Sequence, residues 1–519
     1  MAVIGKNILD NLTTGMYSDS KVIYREYIQN ACDQIDLAIA NGLMSSEEAS
    51  VDIYIDADKR YISIEDNATG VPSADFISNL GDIANSNKQI GKNKGFRGIG
   101  RLCGLAYCKY LKFITSYQGE SIASEMICDA KKMRSMLYEN KKYSIDEIWD
   151  TIVTFDKMPE VAEKHYFKVE LVDINKENTD LLDDKKVKEY LSFVAPVPYK
   201  NTFHHLADKI VKYANDIDYK INEYFIYVDG FQIFKEYSYR LKEFSGGSLK
   251  NYDEIKDIDF HNFYNKKGDL IAWSWIGLSR FEKSIPKVNQ MRGIRLRSGN
   301  IQLGNDDVLK DLFKENRGNY YFVGEVFAVS KELIPNSQRD YFNENETRVE
   351  FEDAIRVYFY DVLHKLYTDA NKIKNAYKHQ EEYIAKVQEF EKKIIENGFV
   401  NETEKQKLQY NIEDAKKKAE DSRKQLSKFD GIDISSPIAI VNKRIGEKFQ
   451  ADRLKKKAEL TCVKSKGKTE KKNTYITDSL SKLTRSERKL VSKILSIITD
   501  NASKDVAEKI INKIKEELK

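Results

Sequence analysis

VIYREYIQNACDQID, residues Val22 to Asp36, decides how the rest of the chain is read. Val22, Ile23, Tyr27, Ile28, Ala31 and Ile35 recur at helical spacing, while Glu26, Asn30 and Asp33 fall three and four apart on a second stripe. One side of a buried helix thus presents a carboxylate and an amide. A buried charge needs either an ion-pair partner or a function. The helix alone does not choose, because the E-x-x-x-N spacing is common.

The next hundred residues supply the choice. Val51–Asp66 (VDIYIDADKRYISIED) alternates apolar and polar residues across an Asp-Ala-Asp-Lys turn, the pattern of a β-hairpin, and runs into Asp66-Asn67-Ala68-Thr69-Gly70. NLGDIANSNK (Asn79–Lys88) follows, and then IGKNKGFRGIGRLCGLAYC, where Gly91, Gly95, Gly98 and Gly100 precede a helical run. A glycine-rich loop feeding a helix start offers free backbone N–H groups and a positive dipole end, which suits a polyphosphate.

In this order and at this spacing, the three boxes REYIQNACDQID, DNATGV and GFRGIG resemble those of the GHKL (Bergerat-fold) ATPases over roughly the first 130 residues. That family includes heat-shock protein 90, MutL, MORC proteins, type II topoisomerases and sensor histidine kinases. NLGDIANSNK is most similar to the heat-shock chaperone branch.

The resemblance implies ATP and Mg²⁺ as ligands. Asp66 would accept from the adenine amino group, Asn30 would offer its amide oxygen to Mg²⁺, and Glu26 would orient or deprotonate the attacking water. Gly70 would admit the nucleotide without a Cβ in the way. Gly95, Gly98 and Gly100 would wrap the phosphates, with Lys94 and Arg97 adding charge, and Asp33, Asn79 and Phe96 complete the nucleotide-contacting set. Ala68 replaces the first glycine of the family's D-x-G-x-G turn, and the lid between Asn85 and Gly95 is shorter than in the chaperones. Altered turn geometry and no large lid swing are the expectations.

Composition bounds the remainder. The chain has 519 residues, of which 41% are hydrophobic and 32% charged, so several domains with ample core are expected. No run approaches eighteen apolar residues and the opening lacks a signal-peptide core, so no membrane partner is expected. The five cysteines form no C-x-x-C pair, which points to a reducing, cytoplasmic setting and away from zinc.

Four further segments follow the ATP-binding domain at 1–175. Residues 190–370 read as a second α/β domain, corresponding by resemblance to the S5-like transducer. There ELIPNSQRDYF (Glu332–Phe342) resembles the chaperones' loop to the γ-phosphate. Arg339 is the candidate and Gln338 the second; the alternative is a surface pair of Arg339 with Asp340 or Glu344. Residues 371–430 show two stretches of 3-4 spacing broken at Asn397-Gly398, a helical hairpin or an intermolecular coiled coil. Residues 431–475 read as a basic linker, with twelve Lys/Arg against four Asp/Glu over 443–472.

Residues 476–519 carry two amphipathic helices, the first opened by a Thr484/Glu487 capping box. Helices of this size need a partner surface, either the body of the protein or a homodimer bundle. The function expected is a slow, Mg-dependent dimeric ATP clamp that remodels a protein client or works with an accessory protein, as in the chaperones. The alternative is an ATP-gated clamp on double-stranded DNA, gripped through 443–472 and resembling MORC or MutL, with a bacterial defence system as its setting.

Overall fold

The computed structural model describes residues 5–13, 19–81, 100–464, 475–480 and 482–519. They form two compact units, Met1–His364 and Lys365–Lys519. Among the described residues, no helix is long and apolar enough to cross a membrane.

The first unit is mixed α/β. Its larger sheet has eight strands in the order Val153–Pro159, Ile122–Asp129, Cys108–Ser116, Tyr166–Ile174, Tyr61–Asp66, Ser50–Asp56, Phe225–Val228, Phe231–Gln232. The hairpin expected from alternation is present, with Val51 opposite Asp66 and Asp56 opposite Tyr61. That register buries Val51, Ile53, Ile62 and Ile64 and makes Asp66 the last residue of its strand.

The helix Val22–Ala40 buries Ile23, Tyr27, Ile28, Ala31 and Ile35 in the same core as those strands. The apolar stripe thus explains why Glu26 and its neighbours are held where they are. Ser50–Asp56 continues in parallel with Phe225–Val228, so residues from beyond position 190 complete this sheet. The turn Asp229-Gly230, at φ +50° and +76°, then reverses the chain into the edge strand.

A second, five-stranded sheet runs Asp257–Tyr264, Leu270–Leu278, Val323–Ala328, Gly293–Ser298, Ile301–Leu303. Its core is aromatic: Trp273 stacks on Phe327 at 4.6 Å, and Tyr213 on Phe260 at 4.2 Å. Inside lies a fully buried ionic cluster. Glu325 accepts from Tyr237 and from Trp275 Nε1, both at 3.0 Å, and pairs with Arg297 and with Lys235 at 3.5 Å.

Burial pushes the Lys235 ammonium below its ordinary range. Burial alone would raise Glu325, but the Arg297 guanidinium and the Lys235 ammonium outweigh it and hold the carboxyl below the usual range. Arg297 also donates to the carbonyl of Phe193 at 2.8 Å, tying this sheet to the end of the helix Asp184–Val194.

The second unit is helical. His364–Lys392 and Glu402–Leu426 run antiparallel within the chain. His379 meets Ser422 at 3.1 Å, Lys386 donates to the carbonyl of Asn411 at 3.5 Å, and Lys393 pairs with Glu404, so one partner's number falls as the other rises. Small residues on the second arm, Ala415, Ala419 and Ser422, are buried. Pro437–Lys464, inside the stretch read as a basic linker, is helical, and its Phe449 lies 4.8 Å from Tyr377 on the first arm. The apolar residues Val441 and Ile445 bury one side of it, a signal masked in sequence by the surrounding lysines.

The capping box at Thr484 and Glu487 opens the helix Arg485–Asn501 as expected, followed by Lys504–Glu517. Leu495 and Ile511 pack with Val400 and Ile476 in one cluster. Leu490, Ile494, Ile497, Val506 and Ile510 stay exposed, so this helix pair buries only part of its apolar surface inside its own unit.

Candidate active site

The site is built on the helix Val22–Ala40. Glu26 is 4% exposed and lies where the described chain resumes after the glycine-rich stretch. A Cβ on Gly100 would stand 2.5 Å from Glu26 Oε2, so a larger residue there would have to push the carboxylate aside. One position on, the Arg101 guanidinium donates to the carbonyl of Asn79 at 2.8 Å, which links the loop's end to the helix Phe76–Gly81. Tyr27 reinforces the same corner, donating to Arg101 O at 3.0 Å and accepting from Gly104 N at 3.1 Å.

Among the described residues, Glu26 has two cationic neighbours. Arg25 Nη2 lies 3.4 Å from Oε1, and Arg339 Nε lies 3.0 Å from the same oxygen. Arg339 comes from the 335–342 loop beyond the second sheet, which closes on itself through the Pro335–Phe342 bridge and the Asn336 N to Tyr341 O bond at 2.9 Å. The Arg339 backbone is left-handed at φ +54°, an uncommon conformation for a long side chain. Its carbonyl accepts from Gly304 N at 3.0 Å and from Arg25 Nη1 at 3.3 Å, and Arg25 Nη2 donates to the carbonyl of Gln338 at 3.0 Å. Of the two readings of Arg339, neither the Asp340 nor the Glu344 surface pair is present among the described residues. Asp340 accepts from Asn336 instead, and Arg339 reaches Glu26.

The DNATG turn forms the other end of the site. Asp66, 4% exposed, accepts from Ala68 N at 3.1 Å, which orients its carboxylate. Thr69 donates to Gln34 on the Val22–Ala40 helix at 3.0 Å, so the turn and the acidic helix are joined. Gly70 adopts φ +65°, and a Cβ there would come within 1.9 Å of the carbonyl oxygen of Ser116. Ala68, by contrast, is not among the left-handed residues and is fully buried, which is why alanine serves there in place of glycine. Val71 N donates to Thr115 Oγ1 at 2.9 Å, fixing the exit of the turn on the strand Cys108–Ser116.

Glu26, Asp33, Gly100, Gln338 and Arg339 are therefore placed around one helix, with Asn30 half-buried one turn after Glu26 and Asp66 and Gly70 in the attached turn. Asn79 touches the site through its backbone. Lys94, Gly95, Phe96, Arg97 and Gly98 lie outside the described residues. Reasoning on the sequence passed over Arg25, Arg101 and Thr115. Arg25 precedes the key acid directly, which is the one signal that pointed to it.

The residues fit a magnesium nucleotide. Asp66 is an acceptor held at a strand end, and Asn30 carries the hard oxygen type that Mg²⁺ prefers.

Residues 24–157 match the family described as "Histidine kinase-, DNA gyrase B-, and HSP90-like ATPase". The chain is similar to the chaperone protein HtpG of Wigglesworthia glossinidia brevipalpis, 26% identical over 290 residues that cover 52% of this chain and 41% of that relative. It is also 36% identical over 85 residues to HtpG of Campylobacter jejuni, covering 15% of this chain and 14% of the relative. The same identity and length relate it to the mitochondrial heat shock protein 75 kDa of Bos taurus, covering 16% and 12%. The chain therefore spans less than half the length of the relatives it matches.

Proposed function

Because residues 24–157 match the histidine kinase-, DNA gyrase B- and HSP90-like ATPases, we propose that this chain is a Mg-dependent, ATP-binding and hydrolysing clamp that dimerises and remodels a protein client. The observation that carries the reading is the 3.0 Å contact of Arg339 with Glu26, which joins a loop of the second sheet to the carboxylate best placed to act on water.

Asp66 selects the base through its acceptor oxygens, and Gly70 lets the turn approach it. Asn30 holds the magnesium, which when bound supplies charge neutralisation on the phosphates. Glu26 orients the attacking water and takes its proton. With both arginines on it, Glu26 Oε1 is engaged in ion pairs and is not free to hold the water. ATP offers Arg339 a second anion, the γ-phosphate; moving there, the guanidinium releases Glu26 and steadies the charge that develops on the transferred group. Little covalent chemistry falls to the protein, so slow turnover is expected.

The exposed apolar residues Leu490, Ile494, Ile497, Val506 and Ile510 support a homodimer through the C-terminal helices. The alternative, a double-stranded DNA clamp, is supported by the basic excess over 443–472.

Steady-state ATP hydrolysis with magnesium, with EDTA, and with added DNA separates the readings. The client-remodelling clamp gives turnover that requires magnesium and ignores DNA. Turnover stimulated by DNA in low salt would favour the DNA clamp, and no turnover with magnesium would refute both.

A further inference from the structure

A cleft of about 670 Å³ opens in the first unit, lined by the helix Asp184–Val194, the segment 231–242 and residues 288–291. It shares none of its lining residues with the nucleotide site described above. Three observations bear on what it receives.

The first is a bare sheet edge. Among the described residues, Phe231–Gln232 is the outermost strand of the eight-stranded sheet, paired on one side only. Val228 faces Phe231 and Tyr227 faces Gln232, while Ile233 N donates to Ile226 O and Lys235 N to Pro198 O, both at 2.8 Å. The odd-numbered amides thus turn toward the sheet. By the alternation of a strand, the N–H and C=O groups of Gln232 and Phe234 turn the other way, on the side of the cleft that both residues line.

The second is charge. Lys185, Lys188, Lys200, Arg240 and Lys242 line the cleft against three carboxylates. Asp184 is taken by Lys188 at 3.0 Å and Glu236 by Lys200 at 2.7 Å. Among the described residues, Lys185, Arg240 and Lys242 have no carboxylate within ion-pair distance, and only Glu189 opposes them.

The third is an uncovered aromatic ring. Phe231 is 68% exposed, with Lys188 Nζ 4.7 Å from its centroid.

We propose that this cleft binds an extended acidic peptide segment of a partner protein, added as a further strand to the 231–236 edge. Its carboxylates meet Lys185, Arg240 and Lys242, and an apolar side chain covers Phe231. A polypeptide supplies both donors and acceptors at strand spacing to match the bare edge. A single-stranded nucleic acid offers phosphates to the cations but no backbone donor to the edge carbonyls, and one exposed ring is no stacking row.

The test is fluorescence anisotropy on the full chain with a fluorescein-labelled ten-residue peptide alternating glutamate and valine. Its comparisons are the same peptide with alternate backbone amides N-methylated, its lysine counterpart, and a ten-nucleotide oligo-dT. The acidic peptide should bind saturably. Affinity should fall at least tenfold on N-methylation, with the lysine peptide and with oligo-dT. The variant Lys185→Glu/Arg240→Glu/Lys242→Glu should lose it to the same extent while binding ATP as wild type does; these side chains are exposed, so the fold should tolerate the change. Any one of three results overturns the proposal: no binding of the acidic peptide, equal binding after N-methylation, or oligo-dT binding as tightly as the peptide.

Discussion

At the residue scale, the carboxylate of Asp66 and the missing side chain of Gly70 carry the claim that the site takes a purine nucleotide. Asp66→Asn replaces half of an acceptor-only group by a donor that faces the base's own donor, so ATP affinity should fall tenfold or more, about 1.4 kcal/mol. Isothermal titration reads this directly, and unchanged affinity would remove Asp66 from the base-reading role. Gly70→Ala should destabilise the first unit by about 3 kcal/mol or more in a denaturant melt, since its Cβ would fall 1.9 Å from Ser116 O with φ at +65°. A melt unchanged by that substitution would contradict the geometry. Both residues were legible in the sequence because a strand-ending Asp followed by a small-residue turn is a local pattern. Arg25 was not, since two of the groups that hold it are backbone carbonyls more than three hundred positions away.

At the scale of elements, the helix Val22–Ala40 and the 51–66 hairpin could be read from periodicity because a single core buries one face of each. The edge hairpin 225–232 carries a local signal in its Asp229-Gly230 turn, but its place beside Ser50–Asp56 carries none. A parallel pairing across more than 170 residues leaves no local mark, and the same holds for the ionic cluster on Glu325. That cluster makes its own prediction. Glu325→Gln leaves Arg297 and Lys235 buried beside a neutral amide, and should cost about 3–5 kcal/mol of stability. Thermal denaturation of the variant checks it, and a loss below about 1 kcal/mol would mean that water or rearrangement satisfies the two cations.

At the scale of the whole molecule, the two amphipathic C-terminal helices were legible from their stripes and capping box, whereas the division of their apolar surface between Val400, Ile476 and an uncovered face was not. Removal of residues 476–519 should turn a dimer into a monomer by light scattering, and a dimer that survives would move the interface elsewhere. In the proposed clamp, Glu26 acts on water under the control of Arg339. The measurement that tests it most directly is ATP turnover by wild type, Glu26→Ala and Arg339→Ala, each with its ATP affinity measured alongside. The account predicts that Glu26→Ala binds ATP within about threefold of wild type, roughly 0.7 kcal/mol, yet loses at least a hundredfold in turnover. Arg339→Ala should lose at least tenfold in turnover, because its guanidinium no longer steadies the charge that develops on the transferred group. Full hydrolysis by Glu26→Ala would contradict the account.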